Sequence, residues 1–248
     1  MLPTTLLRTL AARARRQGTT AALPTFLAPL LPSRRPSSTS GTAAPSPRRL
    51  GDILHLDKLA DASGPEIAAI WVDFHDVEKK KGVADHHPST SAAAPAHACR
   101  LGTTMAADAF SKFRSRAAAS PLMALPVLKQ GDGGTGTPGA LTLLVQAQHP
   151  HLLVGTLGEY RDAGPAAPAH AVVTHYDDLA DEKGVVLVRT DLVSPHVLSP
   201  AEARQAVATL HALYLDEAGH AFIRAFNHAP AGFDWEALCK HLGVEAGG

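Results

Sequence analysis

Apolar side chains recur every three or four residues between positions 64 and 81, which is the spacing of one face of an α-helix. Ser63 and Glu66 form a capping-box pattern, and such a pattern marks the start of a helix. The apolar stripe consists of Ile67, Ile70, Trp71, Phe74 and Val77. A stripe of this kind needs a partner surface, so we expect Trp71 and Phe74 to pack in a core.

The middle of the chain predicts a second helix followed by strands. The helical pattern runs from 104 to about 119 and ends at Ser120-Pro121. Short runs rich in Val, Leu and Thr then predict strands at 122–128, 140–147, 151–157, 170–176 and 184–192. The connections between these runs are too short for most crossover helices, so neighbouring strands should be largely antiparallel.

The last quarter of the chain is predicted to be helical. Ser199 and Glu202 form a second capping box around a proline at the first helical position. Further helices are predicted at 217–226 and from about Phe233. Strands flanked by helical runs indicate an α+β fold, with helices packed on one face of a twisted, largely antiparallel sheet and an additional N-terminal helix.

Charge is unevenly distributed along the chain. Residues 1–51 contain eight arginines, no lysine and no acidic residue, whereas the rest of the chain holds 15 basic and 23 acidic residues, a net of −8. An acidic body does not present the basic face that nucleic-acid binding requires, so we expect no nucleic-acid partner. It is compatible with a protein partner that carries positive patches.

The arginine-rich start has the composition of an organelle transit peptide. On a helix, Leu6, Leu7 and Leu10 share one face, opposite Arg8 and Arg15. We therefore predict a disordered mitochondrial transit peptide at 1–49 and a single domain at 50–248 that resides in the matrix. Because Ser/Pro-rich stretches also occur in plastid addresses, the chloroplast stroma is the alternative.

Two biased segments interrupt the domain, at 82–101 and at 130–139, and we predict that both are flexible insertions. The histidines of the first segment lack a Cys or carboxylate at ligand spacing, so no metal site is expected. The glycines of the second lack the Gly-Lys-Ser/Thr step of a phosphate loop. No run of about 20 apolar residues is present, so stable membrane insertion is not expected.

Sequence patterns of common enzymes are absent. The chain contains no GxSxG, HExxH or CxxC, and no GxGxxG after a strand, so we expect neither catalytic nor cofactor-binding residues. One alternative is that His175, beside Tyr176 and Asp177 at a strand end, does acid/base work. The protein would then be a small hydrolase-like enzyme that uses His175 and nearby acids.

Residues 172–189, VVTHYDDLADEKGVVLVR, resemble the signature of the mitochondrial ATP synthase assembly factors of the ATP11 type, which chaperone the β subunit of the F(1) sector. Three further stretches are similar to that family in the same order: LDKLADASGPEIAAIWVDFH at 56–75, the region 105–126, and the tail from AFNHAP at 225–230 to Trp235. The resemblance covers most of 56–242. The insertions at 82–101 and 130–139 are longer or more biased than the family pattern.

The resemblance implies a non-enzymatic chaperone, expected to be a monomer, that binds the unassembled β subunit until α subunits replace it. It implies no cofactor, and the chain shows no ATP-binding motif, so release should follow from competition by α. A stable structural subunit of an organelle complex is a further alternative. The partner-binding residues we predict are Thr174, His175, Tyr176, Asp178, Leu179, Asp181, Glu182, Lys183 and Arg189, because polar-aromatic mixtures suit interfaces.

Overall fold

The computed structural model describes residues 49–75, 99–129 and 139–244. The predicted transit peptide lies almost entirely outside these ranges. Most of each predicted insertion also lies outside them, so the described residues test neither the transit peptide nor the flexibility of the insertions.

A six-stranded antiparallel sheet organises the described chain. Its strands are β1 (Cys99–Ala106), β2 (Leu122–Lys129), β3 (Gly139–Gln148), β4 (His151–Thr156), β5 (Ala171–Tyr176) and β6 (Val185–Leu192). The α-helices of the described ranges are α1 (Gly64–His75), α2 (Ala107–Ala119), α3 (Leu157–Ala163), α4 (Ala180–Lys183), α5 (Pro200–Leu215), α6 (Glu217–His228) and α7 (Trp235–His241). The α+β class and the antiparallel pairing predicted from the sequence are both confirmed.

The strand order is β1-β6-β5-β4-β3-β2, and every neighbouring pair is antiparallel. Strands that follow each other in sequence are therefore neighbours, except that β1 and β2 lie at opposite edges. Helix α2 joins these two edges. Its 13 residues rise by about 20 Å, close to the roughly 24 Å of five strand spacings.

Alternation along each strand divides the sheet into two faces. The core face carries Val186 and Val188 of β6 and Val173 of β5, and it packs against α2, α5, α6 and α7 in the larger apolar cluster. The second face carries Leu187 and Tyr176, which pack with Trp71 of α1 in a smaller cluster. Helices therefore cover both faces, and the prediction of helices on one face only is wrong.

Helix α1 rests on β1 through a close contact at Gly102. A Cβ atom added there would lie 2.8 Å from the Cβ of His75 and 3.0 Å from the carbonyl oxygen of Trp71. Trp71 is fully buried, and its indole Nε1 donates to the carbonyl oxygen of Val188 at 3.0 Å. Trp71 is a core residue as predicted, whereas Phe74 is 46% exposed, so the core assignment of Phe74 is wrong.

The structure also corrects the boundary between the first insertion and the second helix. Strand β1 occupies Cys99–Ala106, which takes residues from both the predicted insertion 82–101 and the predicted helix 104–119. Pairing with β6 along its whole length holds this segment extended. The helix begins only at Ala107, after an extended Ala106 with φ −67° and ψ 147°. Likewise Gly139 belongs to β3 and not to the second insertion.

Candidate functional site

The predicted partner-binding segment is divided between the two sheet faces. In β5, Thr174 and Tyr176 lie on the second face, whereas His175 lies on the core face opposite Val188. Thr174, His175, Tyr176 and Leu179 are all buried. They are covered in the free protein because β5 is a central strand covered from both sides, and their predicted role in partner binding stays a prediction.

The buried His175 forms a pair with the half-buried His211 of α5. Their Nε2 atoms lie 3.0 Å apart, and the Nδ1 of His175 lies 3.4 Å from the carbonyl oxygen of Pro150. A carbonyl only accepts, so Nδ1 of His175 is the protonated nitrogen and its Nε2 accepts the N–H of His211. Burial is the main cause that lowers the pKa of His175 to about 4 and the pKa of His211 to about 3.

The His175 environment is aromatic. The rings of Phe110 and Phe113 stack against it at 5.5 Å and 5.0 Å between centroids. Tyr176 points to the opposite face, and Asp177 pairs with Arg114 at 3.3 Å. The structure therefore separates Tyr176 from His175, whereas the carboxylate of Asp177 stays near enough to act electrostatically on His175 while it pairs with Arg114. His175 is thus an imidazole stacked between two phenylalanine rings and paired with a second imidazole.

The charged turn after β5 is partly exposed. Asp178, Asp181 and Glu182 face solvent, whereas the Nζ of Lys183 donates to the carbonyl oxygen of Ala60 at 2.6 Å. Lys183 thus ties the turn to the segment that precedes α1. The three acidic residues keep their predicted role as contact residues, and that role stays a prediction.

Arg189 belongs to a cluster of charges on the second face. Its Nε donates to Asp191 at 2.8 Å, and the Nε of Arg100 donates to the other carboxylate oxygen at 3.2 Å. The guanidinium of Arg189 also lies 5.8 Å from the centroid of the Tyr176 ring. Two guanidinium groups share one carboxylate, so the cluster holds one excess positive charge.

Sequence reasoning missed Arg100 and Asp191. The alternation of β6 places Arg189 and Asp191 on one face, and this signal was available from the sequence. Arg100 fell within a predicted insertion, so its position beside Asp191 depends on the pairing of β1 with β6. Only the fold could reveal that contact.

The second face continues from this cluster across the sheet. Register places Arg100, Asp191, Val172, Leu153 and Gln146 in one row across five strands. None of the five is fully buried. Charged, apolar and amide groups therefore lie side by side on a face that is partly accessible.

A groove with a cavity volume of about 190 Å³ lies at the β3–β4 end of the second face. Its lining includes Leu144, Gln146, Leu153, Tyr160, Pro165 and Pro168. Helix α3 supports its wall, because Thr156 caps the helix through the N–H of Glu159 at 3.2 Å. The carboxylate of Glu159 accepts from Thr156 and contacts the Nε2 of His170, each at 2.5 Å. These bonds, chiefly that from Thr156, lower the pKa of Glu159.

In the described ranges, no group of three or more His, Cys, Asp or Glu side chains is arranged to hold a metal ion. Across 49–75, 99–129 and 139–244, no helix is both long and apolar enough to cross a bilayer.

Fold and site together define an α+β protein built on one antiparallel sheet, with four helices on the core face and a second face that α1 covers only in part. The chain matches the family model described as ATP11 protein over residues 12–239. The chain therefore belongs to the ATP11 family.

Two curated relatives are similar to this chain. Protein atp11, mitochondrial, of Schizosaccharomyces pombe is 28% identical over 149 residues, which are 57% of this chain and 51% of that protein. ATP synthase mitochondrial F1 complex assembly factor 1 of Danio rerio is 26% identical over 208 residues, which are 80% of this chain and 55% of that protein. The matched regions thus span about half the length of both relatives.

Proposed function

We propose that this protein is an assembly chaperone of the mitochondrial F1 ATP synthase that binds the unassembled β subunit, and that it is not an enzyme. Membership of the ATP11 family supports the proposal, together with the Danio rerio relative, which is named as an F1 complex assembly factor. The observation that carries it is the partly accessible second face, where the row from Arg100 to Gln146 offers a mixed polar and apolar contact surface.

The physical task explains such a surface. An unassembled β subunit exposes apolar surface that is meant for α, and exposed apolar patches drive aggregation. A chaperone that covers the patch needs a contact of about 800 Å² per partner. Mixed side chains suit a contact that must later be released, because α has to displace the chaperone by mass action.

The non-enzymatic part of the proposal is supported by the state of His175. Its pKa of about 4 keeps the imidazole neutral at neutral pH, and its ring nitrogens face Pro150 and His211. A general base is oriented by a carboxylate or another acceptor and needs reach to a substrate. His175, which is 3% exposed, has no such reach.

The location and assembly state complete the proposal. The protein acts as a monomer in the mitochondrial matrix, after residues 1–49 have served as a transit peptide. The fission yeast relative carries the word mitochondrial in its name, which supports this location. Import into isolated mitochondria and into isolated chloroplasts would separate the matrix from the stroma.

Co-expression with isolated F1 β subunit tests the function. We expect soluble β in a 1:1 complex that dissociates when α is added, and we expect no chaperone in finished ATP synthase. Gln148→Glu on the second face should weaken the complex, whereas Gln205→Glu on α5 should not. Both glutamines are exposed, and the charge change is the same. Unchanged recovery of soluble β, or stoichiometric co-purification with the finished enzyme, would contradict the proposal.

A further inference from the structure

The two edges of the sheet differ in how their backbone is protected. At the β2 edge, the amide of Asn227 accepts the N–H of Leu122 at 3.0 Å and donates to the carbonyl oxygen of Leu122 at 2.7 Å. Pro126, four residues after Leu122, also faces outward by the alternation of the β2–β3 ladder, and a proline has no N–H to donate. A side-chain clamp and a proline therefore block strand addition at this edge.

The β1 edge has no such protection from the described residues. The N–H of Ala107 donates to the carbonyl oxygen of Gly184, which sets the alternation of the β1–β6 ladder. By this alternation both backbone groups of Arg100, Gly102 and Thr104 and the N–H of Ala106 point outward, whereas the carbonyl oxygen of Ala106, the N-cap of α2, belongs to the first turn of the helix. Among the strands of 49–75, 99–129 and 139–244, only β6 pairs with β1, so the outward side of β1 has no strand partner there. The strand contains neither proline nor lysine.

From this contrast we infer that the β1 edge accepts an extended segment of the client protein as a seventh strand. The inference rests on the proposed function and names the contact through which the client is held. Eight residues of β1 offer an edge about 26 Å long. In strand addition the main-chain hydrogen bonds provide the affinity for the added segment, and contacts of every second side chain provide the specificity.

The positive charge of Arg100 indicates that the client segment carries an acidic side chain. Arg100 is 43% exposed at this edge, and Asp191 is already shared with Arg189. The excess positive charge lies in a chain whose residues after position 51 carry a net −8. A client strand with an acidic side chain opposite Arg100 complements it, since cross-strand neighbours lie about 5 Å apart. A second copy of this chain would bring another acidic body to the same edge.

Proline substitutions test the edge without disturbing the ladder to β6. Ala106 already has φ −67°, the value that proline imposes, and its N–H points outward. Ala106→Pro and Thr104→Pro should keep the melting temperature within a few degrees and weaken binding of purified β subunit at least tenfold. The matched controls Ala106→Ser and Thr104→Val keep the N–H and should bind β as the wild type does. Arg100→Glu should also weaken binding, and Arg224→Glu on α6 should not.

Hydrogen exchange supplies the second readout. The outward amides of Gly102 and Thr104 should exchange fast in the free protein and slowly in the complex with β. The strand-addition inference alone is overturned if the wild type and the proline variants bind β equally well and the amides of Gly102 and Thr104 still exchange fast in the complex. A wild type that does not hold β overturns the proposed function and the inference with it. If these amides are protected from exchange without β, and the protection rises with protein concentration, then a second copy of this chain and not the client occupies the edge.

Discussion

The Nε2 atoms of His175 and His211 lie 3.0 Å apart, and this contact joins the central strand β5 to helix α5. Phe113 packs on both rings, at centroid distances of 5.0 Å and 5.1 Å. Because Nδ1 of His175 already donates to Pro150, a proton added to Nε2 of His175 would face the N–H of His211, so the contact requires a neutral His175. The contact therefore makes the packing of the core face dependent on pH.

Acid should destabilise the domain through this histidine pair. The pKa of folded His175 is about 4, below the ordinary value of 6.5, so the folded state binds protons less readily than the unfolded state. The stabilisation is therefore fully present above pH 6.5 and is lost as the pH falls through 4. A difference of this size corresponds to roughly 3 kcal/mol of unfolding free energy. Urea denaturation between pH 7.5 and 4 would measure the loss.

The variant His175→Gln/His211→Gln provides the comparison, because its amides do not titrate. The other titratable groups that act on His175, which are His149, His151 and Asp177, remain in the variant. Its unfolding free energy should change less with pH over this interval than that of the wild type. Equal slopes for the two proteins would show that the pair is not the acid-sensitive element.

Gly102→Ala should weaken the packing of α1 on the sheet. The added methyl group would meet the Cβ of His75 at 2.8 Å and the backbone of Trp71 at 3.0 Å, so the helix must shift. Overpacking of this kind costs about 1–3 kcal/mol. Gly158→Ala in α3 is the matched control, since its added Cβ has no atom within 4 Å. Thermal unfolding should show a loss for the first variant only, and equal melting temperatures would refute the tight contact.

Asn227→Ala should destabilise the β2 edge. The side chain makes three hydrogen bonds, to both backbone groups of Leu122 and to the carbonyl oxygen of Ile223. Its removal leaves part-buried groups without partners, at a cost of about 1–3 kcal/mol. Gln205→Ala on α5 removes an exposed amide bonded only to Thr209, and it should change the unfolding free energy by no more than about 0.5 kcal/mol. Chemical denaturation of both variants would measure their unfolding free energies, and equal values would contradict the prediction.

Much of the fold follows from local patterns. The capping boxes at Ser63 and Ser199 predict the starts of α1 and α5, because the cap is a contact within four residues. The strands β2 to β6 are predicted within a residue or two by their apolar runs. Strand β1 is missed because its sequence CRLGTTMA has a weak alternating pattern and is held extended by pairing with β6. Helix α3 is also missed, since it has only seven residues.

The candidate site is harder to predict than the fold. The segment around Thr174 is identified by its resemblance to a family, and resemblance does not say which side chains are exposed. Alternation along β5 places His175 opposite to Tyr176, but which face is covered depends on α1 and α5, which are distant in sequence. The contact of Arg100 with Asp191 spans 91 positions and has no local signal.

Light scattering by refolding F1 β subunit measures the central claim most directly. The full chain would be added at a concentration equal to that of β while denatured β is diluted into buffer. If residues 1–49 prevent purification, the protein would be used without them. The account predicts that β stays soluble as a 1:1 complex and that added α displaces the chaperone. Scattering that rises as fast with the protein as with an equal amount of albumin would contradict the account.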